Sequence, residues 1–542
     1  MTAILIANIG TSDLTVKIDD YYIPVGFDRN EPNIDESGLT EDEKTVWDAQ
    51  LRQSYIISEL CPELGVTVTE NRNGQKSFSF RELTQKLLAA YENDATGKWH
   101  DRIRPGRIWG VLQTATQDPN FQVKKAYIFV TDQPEFILDP KSGQEKFNFL
   151  GYPSDSIHLF SILKKWFQQE MPDLELIDKI IPKPIPAVDR DELLNYYYQF
   201  FFQHIRSEQT ILIAIKGGTP QMQLALTMQA IASSVTNQLF INPQLSVKNI
   251  LNGKASECDF ASYWRYMRSQ KYQDVKIILE SRWDFRGAIS ILDKWLATLK
   301  FLKPYINDPK LSASNELLSR IVKTLEVGDY CLNLDIQTAK IFLKDNPQLA
   351  SKLSKKLVKQ VSNYDSLLNL YSQCCIYYNL DQIANFLSRM SSFYEGVLEE
   401  TAKKLEIYRD FPNRTNRFEK RSFIGGKVQY RNKISEIEAW EEILLLLKSF
   451  DYWCDRRNEL IHHGKGMSKE RMKSLYPQAK AENSDSCPPD RIIEHMAKIL
   501  TSNLGIVKPE YLHQFVRTST HHYIYSEVKD WAIAQLLHEG LQ

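Results

Sequence analysis

The chain opens with Ala3-Ile4-Leu5-Ile6-Ala7-Asn8-Ile9, an unbroken apolar run cut off by Gly10-Thr11-Ser12-Asp13. A short apolar run bounded by turn residues fits a strand buried on both faces, as in a parallel sheet. Comparable runs stand at Ile108 to Leu112, Ala126 to Val130, Thr210 to Ile215 and Gln238 to Ile241. Helical patterns lie between them, at Phe80 to Tyr91, Ser156 to Glu170, Asp189 to Ile205 and Pro220 to Ser234. Strands alternating with helices predict an α/β fold, a mostly parallel sheet with right-handed crossovers. Ligands of such sheets bind beyond the carboxyl ends of the strands, so function is sought in the residues just after each strand.

Two strand ends are informative. The first is Asn8-Ile9-Gly10-Thr11-Ser12; the second is Lys216-Gly217-Gly218-Thr219-Pro220-Gln221-Met222, which leads straight into a helix. Paired glycines let a ligand approach the backbone closely, and Pro220 suits a first helical turn. The helix N-terminus then offers N–H groups and a partial positive charge to an anion such as phosphate. Ordinary strand-to-helix turns use the same residues, so each motif alone says little. Neither is the dinucleotide fingerprint GxGxxG, and no GxxxxGK[ST] phosphate loop is present. A nicotinamide or ATP enzyme is poorly supported.

Outward from these motifs the chain changes character. Its 542 residues suit about three domains of ordinary size. Residues 1–250 hold 24 Lys+Arg against 32 Asp+Glu, and residues 251–542 hold 43 against 36, although the whole chain carries a net charge of only −1. Near the same place the alternating pattern gives way to helix after helix with 3/4 apolar spacing. These include Ala288 to Leu302, Asn315 to Leu325, Leu353 to Val361, Asp365 to Tyr378, Asp381 to Tyr408, Lys433 to His462 and Asp490 to Leu500. Loops are expected at Arg409 to Lys433, which contains a Gly-Gly pair, and at Lys465 to Pro489. Seven cysteines without a CxxC pair argue against a disulfide framework and a structural zinc site. With no signal segment and no apolar run of membrane-spanning length, a soluble, cytoplasmic protein is expected.

The last long helical pattern closes on Arg456-Arg457-Asn458-Glu459-Leu460-Ile461-His462-His463-Gly464. Asn458 and His462 are four apart and share a helix face. Basic residues also favour last helical turns for electrostatic reasons alone. Before this motif, residues 401–433 hold ten Lys+Arg against three acids, with Phe411, Phe418, Phe423 and Tyr430 among them. Cations interleaved with aromatics suit single-stranded RNA, through phosphate attraction and base stacking. A solvated loop with a few anchoring aromatics has the same composition.

A first strand ending in Gly-Thr-Ser, with a later one ending in Gly-Gly-Thr-Pro-x-Met, resembles the CARF domain, the CRISPR-associated Rossmann-like sensor, over roughly residues 1–250. The resemblance implies a cyclic oligoadenylate bound across a dimer axis. Asn8, Gly10, Thr11 and Ser12 would line one edge of that site. Gly217, Gly218, Thr219, Pro220, Gln221 and Met222 would line the other, with Thr131, Asp132 and Gln133 as a weaker addition. The ring size, four or six adenylates, is not encoded. Thr11 or Ser12 would either bind a ribose hydroxyl or position it for cleavage of the activator. The acidic, turn-rich stretch Asp19 to Asn73 looks like an insertion.

Arg457-Asn458-x-x-x-His462 resembles the Arg-x(4–6)-His signature of HEPN domains, helical modules that include metal-independent ribonucleases, over roughly residues 361–542. CARF followed by HEPN is the layout of the ancillary ribonucleases of type III CRISPR systems. The resemblance thus implies a sensor over 1–250, a helical linker over 251–360 and a ribonuclease domain over 361–542. It further implies a homodimer, no cofactor or metal, and a cyclic oligoadenylate as allosteric activator of cleavage of single-stranded RNA. The residue types fit that chemistry. An imidazole can move the 2′-OH or 5′-oxygen proton, and a guanidinium can stabilise the pentacoordinate phosphate. His462 is then the acid/base, Arg457 the phosphate stabiliser and Asn458 the residue that orients the imidazole, with Arg456 and His463 the nearest substitutes. The competing expectation is a ligand-controlled regulatory protein whose helical part is catalytically silent.

Overall fold

The computed structural model describes residues 2–26, 34–70, 73–138, 142–149, 151–411, 416–430, 433–463, 466–507 and 521–541, with the backbone alone over 458–463 and at 541. It is a mixed α/β chain, with a mostly parallel six-stranded sheet and an all-helical C-terminal region. The chain divides into two compact units. The first comprises Met1–Met267 with Ala297–Ser312, and the second Arg268–Leu296 with Ala313–Gln542. The expected segment 1–250 lies within the first unit and 361–542 within the second, while 251–360 is shared between them. No helix among the described residues is long and apolar enough to cross a membrane.

In the first unit the main strands are β1 (Thr2–Asn8), β2 (Gln122–Thr131), β3 (Glu175–Ile181), β4 (Thr210–Ala214), β5 (Asn237–Gln244) and β6 (Glu257–Ala261). Their order across the sheet is β3-β2-β1-β4-β5-β6. All neighbours run parallel except β6, which is antiparallel to β5. β1 is central and buried from Ala3 to Asn8, as its apolar run requires. The chain fills the sheet first to one side of β1 and then to the other. Crossovers leaving β1 and β4 therefore part in opposite directions, and a crevice is left beyond their carboxyl ends. Helices Arg190–His204 and Pro220–Ala232 cover one face, packing Tyr197, Phe200, Phe201, Leu226 and Ala230 against Ile4, Ile6, Phe129, Ile211, Ile213 and Phe240.

The expected strand at Ile108 to Leu112 is instead part of the helix Arg107–Gln117. Ile108, Val111, Leu112 and Ala115 are its buried apolar side chains. That i, i+3, i+4, i+7 spacing outweighs the short apolar run. Two edge strands, β3 and β6, carry charges in their sequences (Glu175, Asp178, Lys179; Glu257, Asp259) and gave no apolar run to read. The stretch Asp19 to Asn73 has structure of its own. Tyr21–Pro24 pairs with Leu14–Ile18 in a small sheet completed by Ile103–Pro105, and helices Glu41–Trp47 and Ala49–Tyr55 follow.

The described elements of the second unit are helices. Ser366–Asn379 packs on Ile383–Lys404, and Asp451–His463 lies against the latter. The single helix expected over Lys433 to His462 is two, Ile434–Lys448 and Asp451–His463, broken at Ser449 and the fully buried Phe450. Both expected loops contain a helix. Asn416 caps Arg417–Val428 by accepting the Glu419 N–H at 2.9 Å, and Ser468 caps Lys469–Glu482 by accepting that of Arg471 at 3.1 Å. In both segments cap chemistry overrode a loop-like composition.

Candidate functional site

The first unit brings the two strand-end motifs together. Gly217 takes φ +122°, and a Cβ there would lie 2.0 Å from the Asn8 carbonyl oxygen. Gly218 takes φ +69°, and a Cβ on Gly10 would stand 3.0 Å from the Gly218 nitrogen. The turns after β1 and β4 thus meet backbone to backbone, which only residues without side chains allow. Thr219 caps the helix Pro220–Ala232. Its Oγ1 accepts the Met222 N–H at 3.2 Å and donates to the Ala187 carbonyl at 2.5 Å. Pro220 follows in the first turn, where its missing N–H costs nothing.

Burial divides the expected residues. Gly10, Thr11, Ser12, Gly218, Thr219 and Gln221 are half-exposed and Pro220 is exposed, so they form the lips of the crevice. Asn8, Gly217 and Met222 are buried beneath it. Met222 belongs to the core and touches Gly218, so it supports the turn from below. Asn8 accepts the Tyr197 hydroxyl on Oδ1 at 2.7 Å, while its Nδ2 is buried without a hydrogen-bond partner. A buried amide donor left unpaired costs about 1–3 kcal/mol.

Thr131 and Asp132 serve a network beside the crevice. Thr131 is buried and exchanges hydrogen bonds with Ser156. Arg81 bridges Asp132 at 2.9 Å and Asp155 at 2.6 Å, and Lys183 stands 3.6 Å from Asp132. Burial pushes the Asp155 carboxyl up to about 6, against the pull of Arg81. Gln133 donates its N–H to Asp155 at 2.7 Å and accepts the Ala187 N–H on Oε1 at 3.1 Å. Ala187 in turn holds Thr219, so the end of β2 reaches the crevice through Gln133 and Ala187.

Sequence reasoning missed Asp13, which fastens the first turn. One carboxylate oxygen accepts the Gly10 N–H at 2.9 Å and the other the Ile108 N–H at 3.1 Å. Its signal was an acid three residues after a turn glycine, the spacing of a helix cap. Tyr197 had no local signal, since its role depends on tertiary contact, whereas Gln133 was expected together with Thr131 and Asp132 and is the one of the three that reaches Ala187.

In the second unit the helix Asp451–His463 carries Arg457, Asn458 and His462. The side chains of Asn458 and His462 lie outside the described residues; that of Arg457 is half-buried, with its Nε lacking a partner. Arg456 is engaged elsewhere, over the Tyr452 ring and 3.8 Å from Glu482. The helix is anchored at its start. Asp451 takes Arg421 at 2.6 Å and the Tyr394 hydroxyl at 3.0 Å, and Arg417 binds Asp455. Burial raises the Asp451 carboxyl while Arg421 opposes that shift. Asp451 and Asp455 thus tie the start of this helix to the basic helix Arg417–Val428. On that helix and its flanks Arg417 lies over Phe418, Lys420 over Phe411 and Lys427 over Phe423, and Tyr430 is exposed. Among the described residues no three His, Cys, Asp or Glu side chains gather as metal ligands.

Compared with known proteins, the chain matches no family model and no curated relative.

Proposed function

We propose that the chain is an endoribonuclease for single-stranded RNA switched on by a cyclic oligoadenylate, acting in type III CRISPR defence. A Rossmann-like, CARF-like sensor would form its first unit and a HEPN-like domain its second. The observation that carries the reading is the backbone contact of Gly10 with Gly218 at the point where the strand order reverses. Two motifs more than two hundred residues apart in sequence meet there, beside a capped helix N-terminus suited to phosphate and a buried donor on Asn8 without a partner.

In this reading His462 removes the proton of an RNA 2′-OH, whose oxygen attacks the adjacent phosphorus. The P–O5′ bond breaks, and the 5′-oxygen takes a proton from the same or the partner imidazole. Arg457 stabilises the phosphorane oxygens, and Asn458 holds the imidazole. The products are a 2′,3′-cyclic phosphate and a 5′-hydroxyl, with no metal in the balance. The cation–aromatic pairs of Arg417–Val428 and its flanks suit a single strand laid beside the motif.

Labelled single-stranded RNA, incubated in EDTA with and without cyclic tetra- or hexa-adenylate, tests the proposal. Cleavage to cyclic-phosphate ends only with one activator is expected. No cleavage with either, or cleavage only after a divalent metal is added, overturns it.

A further inference from the structure

In the second unit, Arg320 and Lys323 on the helix Pro309–Leu332 line a cleft of about 330 Å³. Its other wall is the junction of the helices Ile336–Asp345 and Pro347–Lys352, which brings Asp345, Asn346, Gln348 and Lys352. The cleft lies within 251–360, a stretch to which the resemblance gives no role beyond a linker. Arg320 is half-buried, and its Nε is enclosed without a hydrogen-bond partner. Lys323 donates to the Asn346 Oδ1 at 3.1 Å, a neutral partner that leaves its charge uncompensated. Lys352 is exposed. Among the described residues none of these three cations forms an ion pair, although Asp345 shares the cleft with them. Like charges gathered in one concavity concentrate anions there.

The surplus continues along the chain. From Ile336 to Tyr364 the sequence has six lysines against one acid. Lys356 is paired with Glu527, but Lys340, Lys344, Lys352 and Lys355 form no ion pair among the described residues. Lys340 is half-exposed and the other three are exposed.

We propose that this cleft binds the phosphate backbone of a single nucleic-acid strand. A guanidinium fork matches two phosphate oxygens, and the lysines add point charges. The lysine surplus favours a strand over a lone phosphate, since a polyanion releases counterions at every phosphate that is neutralised. A single strand also bends into a concave site, where a stiff duplex cannot follow. No aromatic side chain lines the cleft, so bases are not stacked there and sequence is not read. In this it differs from the helix Arg417–Val428, whose cations lie over phenylalanines. DNA and RNA should therefore serve equally, and the inference goes beyond the proposed cleavage without needing it.

The test is fluorescence anisotropy of the full chain with a labelled single-stranded DNA of about 20 nucleotides, long enough to span one strand-binding groove. DNA lacks the 2′-OH that the proposed cleavage needs, so binding is read apart from catalysis. Lys323→Gln with Lys352→Gln should weaken binding about 25-fold at about 0.1 M salt, with unchanged thermal melts. The slope of log affinity on log salt should become shallower by about 0.7 for each lost contact, and Arg320→Gln should take a further such step. Arg282→Gln removes an exposed cation of the same unit outside the cleft and should change neither quantity. Wild type that binds no strand, lysine variants that bind like wild type, or an equal loss in Arg282→Gln overturns the proposal. So does loss of inorganic phosphate binding with strand binding intact, or a poly-glutamate chain bound as tightly through the same residues. Strand binding that depends on the cleft, in a chain that cuts no RNA, upholds the cleft and removes the proposed cleavage.

Discussion

The chain holds two Gly-Gly pairs, and they stand in opposite circumstances. Gly217-Gly218 ends β4 with both residues at positive φ, and the first presses against the Asn8 carbonyl. Gly425-Gly426 sits inside the helix Arg417–Val428, where a Cβ on Gly426 would meet open space and one on Gly425 only Leu444 at 3.7 Å. The first pair is required by its surroundings; the second is merely allowed by them, at a cost in helix propensity. A glycine pair therefore marks a site only through what approaches it. The contrast extends to the two units. The crevice of the first is made of main chain and caps, whereas the Arg457 motif of the second is carried by one anchored helix.

On the proposed reading, the largest effect belongs to that motif. His462→Ala should lower the rate of RNA cleavage by about two to four orders of magnitude while leaving nucleotide binding by the first unit intact. Normal cleavage by His462→Ala, together with loss in His463→Ala, would shift the motif by one residue. In the first unit the comparable blow is to folding. Gly217→Ala forces a Cβ into a backbone oxygen at a positive φ, and a loss of about 3 kcal/mol or more is expected in urea unfolding. A change below about 0.5 kcal/mol would mean that the two turns do not touch.

Two buried groups, one in each unit, differ in the sign of their response to pH. Asp155, buried beside Arg81, Gln133 and Thr131, is raised from 3.8 to about 6. Its folded state binds the proton more tightly, so its contribution is full below the unfolded value and lost as pH rises through 6. His522, packed edge-on against Trp283 near Lys529 and His521, is lowered from 6.5 to about 4, chiefly by burial. Its neutral form is favoured, so its contribution is full above 6.5 and lost as pH falls through 4. Each is worth on the order of 3 kcal/mol. Unfolding free energies measured at pH 4 and pH 7 check the signs. Wild type minus Asp155→Asn should fall over that interval, and wild type minus His522→Gln should rise. Equal signs would break the contrast.

What could be read in the sequence follows the same division. β1, β2, β4 and β5 were legible because strands inside a parallel sheet are apolar without interruption, and both strand ends were legible because tight backbone contact admits only glycine. β3 and β6 were hidden by charges that edge strands tolerate. The helix at Arg107–Gln117 was misread because a buried stretch of five residues looks alike in either period until Ala115 is counted. In the second unit composition concealed two helices that Asn416 and Ser468 announced as caps. The Arg457 motif was found by residue type, but its anchor was not. Tyr394, Arg421 and Asp451 are far apart in sequence, and nothing local says that they share a hydrogen-bond network.

The smallest effect is also the sharpest test of the comparison between the glycine pairs. Gly426→Ala places a methyl group in open space on a helix of ordinary φ, and Gly425→Ala adds only an ordinary contact. Alanine is the better helix former by about 1 kcal/mol, and it also removes backbone freedom from the unfolded chain. Each substitution should therefore stabilise the second unit by about 0.5–1 kcal/mol, read as a higher urea midpoint at unchanged slope. A loss of stability would show that the face is covered and that the pair is as constrained as Gly217-Gly218. Stabilisation accompanied by slower RNA cleavage would be more informative. It would mean that the bare backbone of this helix lies close to the substrate strand, so that the second pair, like the first, is kept for what must approach it.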